Sequence, residues 1–257
     1  MQKNNRFHQA VIYGLMAFLS IPLVATLVYS LAQKWGATIL PQGMTFKWYL
    51  ELWGDPRFLA AFGHSLVVCL SSLTLCTLLT VPAIFVVHYY FPKLDGLMNI
   101  LILLPFAVPP VVSSVGLLQL YAGGPIPLTG TPWILIATYF TVALPFMYRG
   151  ISNSMQGINL RDLMDAAHLL GASSAQAFLQ VVLPNLRKGM MSSLFISFTF
   201  LLGEFVYANI LVGTRYETLQ VYLNNMRGTS GHFTSALVMS YFIVTLVLTW
   251  CATKFNK

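Results

Sequence analysis

One glutamate, Glu204, sits in the run LLGEFVYANI, the single formal charge inside a long apolar stretch. A carboxylate among apolar residues is costly unless it is paired, hydrated or protonated, so its position alone makes it a candidate site. Tyr207 lies three residues on and at helical spacing shares its face, whereas Asn209, five on, points roughly 140° away. An anion beside an aromatic ring suits a cation, by charge and by a cation–π contact. Two readings stay open. Either Glu204 and Tyr207 line a pathway that favours a cationic solute such as a polyamine, or Glu204 is hydrogen-bonded between helices.

The remaining reactive side chains do not assemble into a catalytic set. Cys69, Cys76 and Cys251 all lie in apolar segments with no CxxC spacing, and read as small apolar residues of helix interiors. His8, His64, His88 and His232 fall near the ends of apolar runs and read as interfacial; the membrane separates His64 from His88, so they do not share a metal. GISNS at 150–154 lacks the closing glycine of a nucleophile elbow, and no HExxH is present. There is no G-x4-G-K-[ST] loop and no soluble segment large enough for a nucleotide site. The chain reads as a non-enzyme with no cofactor or metal of its own.

The elements that must position Glu204 are membrane helices. The sequence is 57% hydrophobic and only 8% charged, with mean hydropathy +0.72, against about 25% charged for a soluble domain. The net charge of +7 is scattered beside apolar runs rather than gathered in a stripe, so it indicates topology and not nucleic acid. A span needs about 20 apolar residues. Six segments qualify, at about 10–31, 60–88, 97–121, 131–150, 189–212 and 233–253. The first is too long for a signal-peptide core and reads as a retained anchor. With both termini inside, nine of the fourteen Lys and Arg are cytoplasmic (Lys3, Arg6, Lys93, Arg149, Arg161, Arg187, Lys188, Lys254 and Lys257). Lys34, Lys47, Arg57, Arg215 and Arg227 lie outside. The expectation is an all-α integral membrane chain of six spans, one transmembrane domain over 1–257. Pro22, Pro82, Pro105 and Pro145 are tolerated within spans, whereas the pair Pro109-Pro110 breaks the third near its middle. The tryptophans Trp35, Trp48, Trp53, Trp133 and Trp250 fall near span boundaries, as an aromatic belt would.

Between the fourth and fifth spans lies a polar segment, about 150–188, that includes DAAHLLGASSAQAFLQVVLP from Asp165 to Pro184. Ile158, Leu160, Leu163, Met164, Ala167, Leu170 and Gly171 recur at three- and four-residue intervals and share one helix face. Asn159 is the N-cap, and Arg161, Asp162, Asp165 and His168 make the polar side. Gly171 stops the helix, a second turn starts at Ser173, and Leu183-Pro184 begins the return to the membrane. Such a helix could lie on the bilayer, pack on its own bundle or enter a groove on a partner. Its two acids disfavour the bilayer surface.

These residues resemble the EAA signature, E-A-A-x3-G-x9-I-x-L-P, of the membrane subunits of binding-protein-dependent ATP-binding-cassette importers. Asp165-Ala166-Ala167, Gly171, Val181 and Leu183-Pro184 keep every spacing, with Asp in place of Glu and Val in place of Ile. Weaker similarity runs from LPFMYRG at 144–150 to GEFVYANILVG at 203–213, and the subgroup it most resembles serves polyamines, ferric iron, phosphonates, thiamine or sulfate.

The resemblance implies that Asp165, Ala166, Ala167, Gly171, Leu183 and Pro184 form a coupling segment that docks on a separate ATPase subunit, where ATP and Mg would be held. It implies a second permease subunit, either a different one that makes a heterodimer or another copy of this chain. It also implies a periplasmic or lipoprotein substrate-binding protein, surrounding lipid, and a bacterial inner (cytoplasmic) membrane location with both termini cytoplasmic. The competing reading is a secondary transporter or channel. It would show paired halves, and no second copy of the EAA stretch or of the Pro-Pro break is found.

Overall fold

A computed structural model describes residues 2–123 and 127–255; Lys257, counted among the inner basic residues, lies outside them. The described residues are almost entirely helical and divide into two compact units.

The first unit comprises residues 1–59 and 223–245. It opens with α1 (Gln2–Leu31), whose apolar side chains face outward all round; Phe18 and Leu19 are typical. A helix apolar on every side needs lipid or other helices around it. The loop after α1 carries structure that apolar periodicity did not predict. Strands β1 (Ala32–Lys34) and β2 (Gln42–Met44) form an antiparallel hairpin, followed by α2 (Lys47–Trp53). His232 closes this unit. Its ring stacks between Tyr29 (4.2 Å) and Trp48 (5.7 Å), and its Nδ1 lies 2.8 Å from the Tyr29 carbonyl. The indole of Trp48 in turn donates to the Ala32 carbonyl.

The second unit, residues 60–222 and 246–257, holds the elements of the candidate site. They are α3 (Pro56–Tyr90), a 3-10 turn at Pro92–Leu94, α4 (Asp95–Ala107), α5 (Pro110–Tyr121) and α6 (Pro132–Gln156). After these come α7 (Leu160–Leu169), α8 (Ser174–Ala177), a π turn (Phe178–Val182), α9 (Leu183–Leu202) and α10 (Val206–Leu211). The last two helices, α11 (Leu219–Met226) and α12 (Gly231–Phe255), have residues in both units, with 223–245 in the first.

The expected prolines behave as the physics of lipid-embedded backbone requires. Pro22, Pro82, Pro105 and Pro145 lie inside unbroken helices, while the chain turns by 86° between α4 and α5 at Val108-Pro109. Among the described residues four helices are long and apolar enough to cross a membrane, or five if the bent α4–α5 pair is counted as one span. The span expected over 189–212 is not one helix. It begins earlier, at Leu183, carries Arg187 and Lys188 near its start, and stops at Leu202 before α10 resumes at Val206.

The backbone of the second unit is the α6–α9 crossing. Gly150 on α6 meets Ser193 on α9, and Gly189 on α9 meets Ser154 on α6; a Cβ on either glycine would overlap the facing serine. Each serine hydroxyl donates to the carbonyl of the glycine one turn before it, at 2.8 Å, so no hydroxyl is stranded in the contact. The two helices thus carry the same small-x3-small pattern, which lets lipid-embedded backbones approach closely. Tyr139, Met147, Tyr148, Ile151 and Met155 bury the rest of the α6 face. Helices α6 and α9 are the two arms from which the 157–182 segment hangs.

Candidate functional site

The segment between α6 and α9 is shaped by local signals. The Asn159 side chain caps α7 by accepting from the Asp162 amide. At the other end the Gly171 amide donates to the His168 carbonyl (2.9 Å) and the Ala172 amide to the Ala167 carbonyl (3.0 Å). That pair of bonds is the Schellman stop, and it requires the left-handed backbone of Gly171, φ +84°. A Cβ there would meet nothing, so the glycine answers the backbone angle and not crowding. Ser173 and Gln176 then form a reciprocal capping box that starts α8. The π turn follows and runs without interruption into α9, with Pro184 just after the π turn.

The EAA-like residues separate into two groups. Leu160, Met164 and Ala167 are buried, as their spacing predicts. Asp165 and Ala166 are exposed, and so is Gly171. Leu183 is half-buried and Pro184 exposed at the head of α9. The expectation of one shared face fails at Leu170 and at Gly171. Placed on the inward face by periodicity, Leu170 is 90% exposed, and its neighbour Leu169 is 89% exposed. The physical reason is the helix stop: Leu170 is the C-cap, where the chain leaves helical geometry to reach Gly171, so α7 periodicity no longer governs it. The outcome is a rigid helix end that presents two leucines beside Ala166 and Asp165.

Glu204 lies in the break between α9 and α10, not within a helix. Its Oε1 accepts from the Tyr207 amide at 2.9 Å, and its Oε2 from the Ala208 amide at 3.2 Å and the Tyr139 hydroxyl at 3.1 Å. The carboxylate therefore caps α10, taking two of the amide donors that every helix start leaves open and complementing the positive end of the helix. These bonds tie α6 to the start of α10 and give the carboxylate partners without neutralising its charge. Helical spacing between Glu204 and Tyr207 does not apply across the break, yet the two do meet through the cap.

Both residues also line a cavity of about 570 Å³. Its walls come from the two breaks: Val108 and Pro110 at the α4–α5 bend, and Glu204 and Tyr207 at the α9–α10 bend, with Thr138 and Thr141 of α6 between them. Phe106 and Phe200 on its lining flank Phe146, with ring centroids 5.7 and 4.9 Å from it. The surface offers hydroxyls, one engaged carboxylate and apolar walls. No group of three or more His, Cys, Asp or Glu able to hold a metal occurs among the described residues.

The histidines are more integrated than interfacial placement suggests. His64 stacks on Tyr216 at 4.1 Å with its Nδ1 3.0 Å from the Glu217 carbonyl. His88 joins a network with Ser152, and beside it Tyr148 donates to Asp95. Sequence spacing gives no signal for these pairs, because their members lie 53 to 153 residues apart.

Known proteins share this architecture. A bacterial ABC transporter involved in the import of the acidic polysaccharide alginate superposes with TM-score 0.75 at 13% identity, covering 97% of this chain and 95% of that one. The MetNI methionine ABC transporter superposes with TM-score 0.60 at 15% identity, covering 83% of this chain and 98% of that one. In sequence, PhnV of Salmonella typhimurium, named for a 2-aminoethylphosphonate transport system permease, is 27% identical over 91% of this chain and 86% of its own length. The spermidine/putrescine transport system permease protein PotC of Escherichia coli is 28% identical over 83% of this chain and 79% of its own length. The family described as binding-protein-dependent transport system inner membrane component matches residues 59–257. The chain belongs to that family, and is a permease subunit of an ABC importer.

Proposed function

We propose that α7 is the point at which a separate ATP-hydrolysing subunit drives this permease. The observation that carries the reading is the end of α7, where Leu169 and Leu170 are almost fully exposed on a helix fixed by a Schellman stop. Two adjacent leucines held in water are unfavourable by roughly 1.5–3 kcal/mol each relative to burial. A groove on a partner would recover that, with Asp165 and Ala166 at its edge. Leu183 and Pro184 then set the direction in which α9 leaves the segment, so a push on α7 reaches α9 and, through the glycine crossing, α6.

In this reading both termini and the 157–182 segment are cytoplasmic, ATP and Mg reside on the partner, and the whole chain serves as one permease domain. A second permease subunit completes the pathway, of which the 570 Å³ cavity with Glu204 and Tyr207 forms one wall. A periplasmic or lipoprotein binding protein delivers the solute. For its class, we propose a small solute bearing a primary amine. The relatives are named for 2-aminoethylphosphonate and for spermidine/putrescine, and the amine is what those solutes share.

The test is ATP hydrolysis in reconstituted vesicles by this chain with its neighbouring-gene partners, comparing wild type with Leu170→Glu. Partner-dependent hydrolysis that falls in the variant while the complex still assembles supports the reading. Solute movement by the chain alone, indifferent to the change, would sink it. Uptake of labelled putrescine against labelled 2-aminoethylphosphonate tests the amine; uptake of neither removes it.

A further inference from the structure

A polar cluster lies where α3, α4 and α6 meet, apart from the cavity and from α7. His88, near the end of α3, is largely buried. Its Nδ1 is 3.1 Å from the Ile84 carbonyl, which can only accept, so Nδ1 carries a proton, and its Nε2 is hydrogen-bonded to the Ser152 hydroxyl at 3.0 Å. Asp95, the first residue of α4, accepts from the Tyr148 hydroxyl at 2.7 Å, and its Oδ1 lies 3.9 Å from His88 Nε2. Tyr148 and Ser152 are one turn apart on α6, so a single face of that helix holds both the end of α3 and the start of α4. The Asn99 side chain donates to the Asp95 carbonyl, and that of Gln156 reaches Ser152 at 3.5 Å.

Two connections give the cluster a mechanical position. One turn before His88, Phe85 packs against Phe178 of the π turn, with ring centroids 4.6 Å apart, so the same part of α3 touches the segment that follows α7. On the other side, α4 runs from Asp95 to the bend at Val108-Pro109, where it becomes a wall of the cavity. Hydrogen bonds between side chains have directions and fixed lengths, which apolar packing lacks. They hold α4 in one register against α6.

We propose that His88, Asp95, Tyr148 and Ser152 are positioning residues that lock the α3–α4 turn to α6, so that displacement of the 157–182 segment reaches the broken α4–α5 pair and reshapes the cavity. The inference rests on the coupling reading of α7. It differs from that reading in the route, which runs through four side chains that touch neither solute nor partner.

The experiment uses the assembled complex in nanodiscs, with Cys69, Cys76 and Cys251 replaced by alanine. One single cysteine is introduced at Leu169→Cys on the end of α7, and another, in a separate preparation, at Ser113→Cys on the cavity wall of α5. Thiol-reagent labelling rates are measured without nucleotide and after trapping with ATP and vanadate. In the parent, trapping slows labelling at Leu169→Cys and changes the rate at Ser113→Cys on the order of tenfold, as for a typically coupled site. With Tyr148→Phe and Ser152→Ala added, the effect at Leu169→Cys persists, which shows the complex folded and docked, while the effect at Ser113→Cys disappears. His88→Gln, which can still hydrogen-bond to Ser152, retains most of it. A cavity response that survives Tyr148→Phe with Ser152→Ala overturns the inference. So does a parent in which trapping reaches Leu169→Cys but not Ser113→Cys. A parent in which it reaches neither removes the coupling reading itself, and the inference with it.

Discussion

Replacing Glu204 separates a capping carboxylate from a solute-binding one. In Glu204→Ala the amides of Tyr207 and Ala208 lose their acceptor, and so does the Tyr139 hydroxyl. Hydrogen bonds inside membrane proteins average about 0.6 kcal/mol, while bonds to a charged group in a dry site reach about 1.5–3 kcal/mol. Three bonds to one partly buried carboxylate therefore give a loss of roughly 2–4 kcal/mol, concentrated at the start of α10. Glu204→Gln keeps one carbonyl acceptor but turns an NH2 group toward a donor, so it loses about half of that, roughly 1–2 kcal/mol.

The assay is denaturant unfolding in mixed micelles together with hydrogen exchange at the Tyr207 and Ala208 amides. Exchange at those two positions should accelerate in the order wild type, Gln, Ala, and α10 should loosen before α6 or α9. A different result would refute the reasoning: stability and amide protection unchanged in Glu204→Ala, with uptake of a cationic solute lost in Glu204→Gln. Glu204 would then be a receptor for positive charge and the cap incidental. Hydrogen exchange distinguishes the two directly, since neutralising a solute receptor leaves the amides of α10 as they were.

Other perturbations follow from the same geometry. Gly150→Ala drives a methyl group into Ser193 and should cost about 1–3 kcal/mol, whereas adding Ser193→Gly should recover most of the loss, as read by a double-mutant cycle in unfolding. Gly171→Ala meets no neighbour, so its whole cost is the left-handed backbone, about 1–2 kcal/mol, seen as faster exchange of the last α7 amides. Ser173→Ala removes one half of the capping box and should destabilise α8 by about 1 kcal/mol, detected as faster cleavage near residue 173 by a protease added to the exposed segment.

The 157–182 segment was the most legible part of the chain because its signals are local. An Asn cap, a glycine stop and a Ser start each act within four residues, and each is where the sequence puts it. The Pro109-Pro110 break was legible for the same reason: proline removes the N–H that a continuing helix needs. What escaped depends on distance or on a change of geometry. Leu170 was misplaced because periodicity was carried one residue past the end of the helix. The α9–α10 break was missed because LLGEFVYANI is apolar enough to read as one span, and its only irregularity, Glu204, looked like a charge seeking a solute. The His88 and Asp95 cluster has no sequence signal, since its partners are brought together only when α6 packs against α3 and α4. The reciprocal glycines could have been found, because Gly150-x3-Ser154 and Gly189-x3-Ser193 are the same small-x3-small pattern written twice.

The two helix breaks pose one chemical problem and answer it in two ways. A helix that restarts inside an apolar bundle presents N–H groups with no carbonyl behind them, and lipid cannot satisfy them. At the start of α5 the sequence removes donors: Pro109 and Pro110 have no N–H to satisfy, and the first amide with a local partner is that of Ser113, bonded to the Pro109 carbonyl at 3.1 Å. At the start of α10 the donors are kept and an acceptor is supplied, the Glu204 carboxylate. The second solution is the more sensitive to substitution, because one side chain holds two amides and a tyrosine hydroxyl, whereas the proline solution depends on no side-chain acceptor. Both breaks face the same cavity, and α5 packs against α10. Irregular backbone at membrane depth is tolerated where it is buried in protein or lines a cavity, and this unit combines both conditions. The chemistry that stabilises the breaks thus also shapes the cavity wall: on one side the prolines remove two donors and leave the amides of Val111 and Val112, and on the other the cap leaves a carboxylate already engaged.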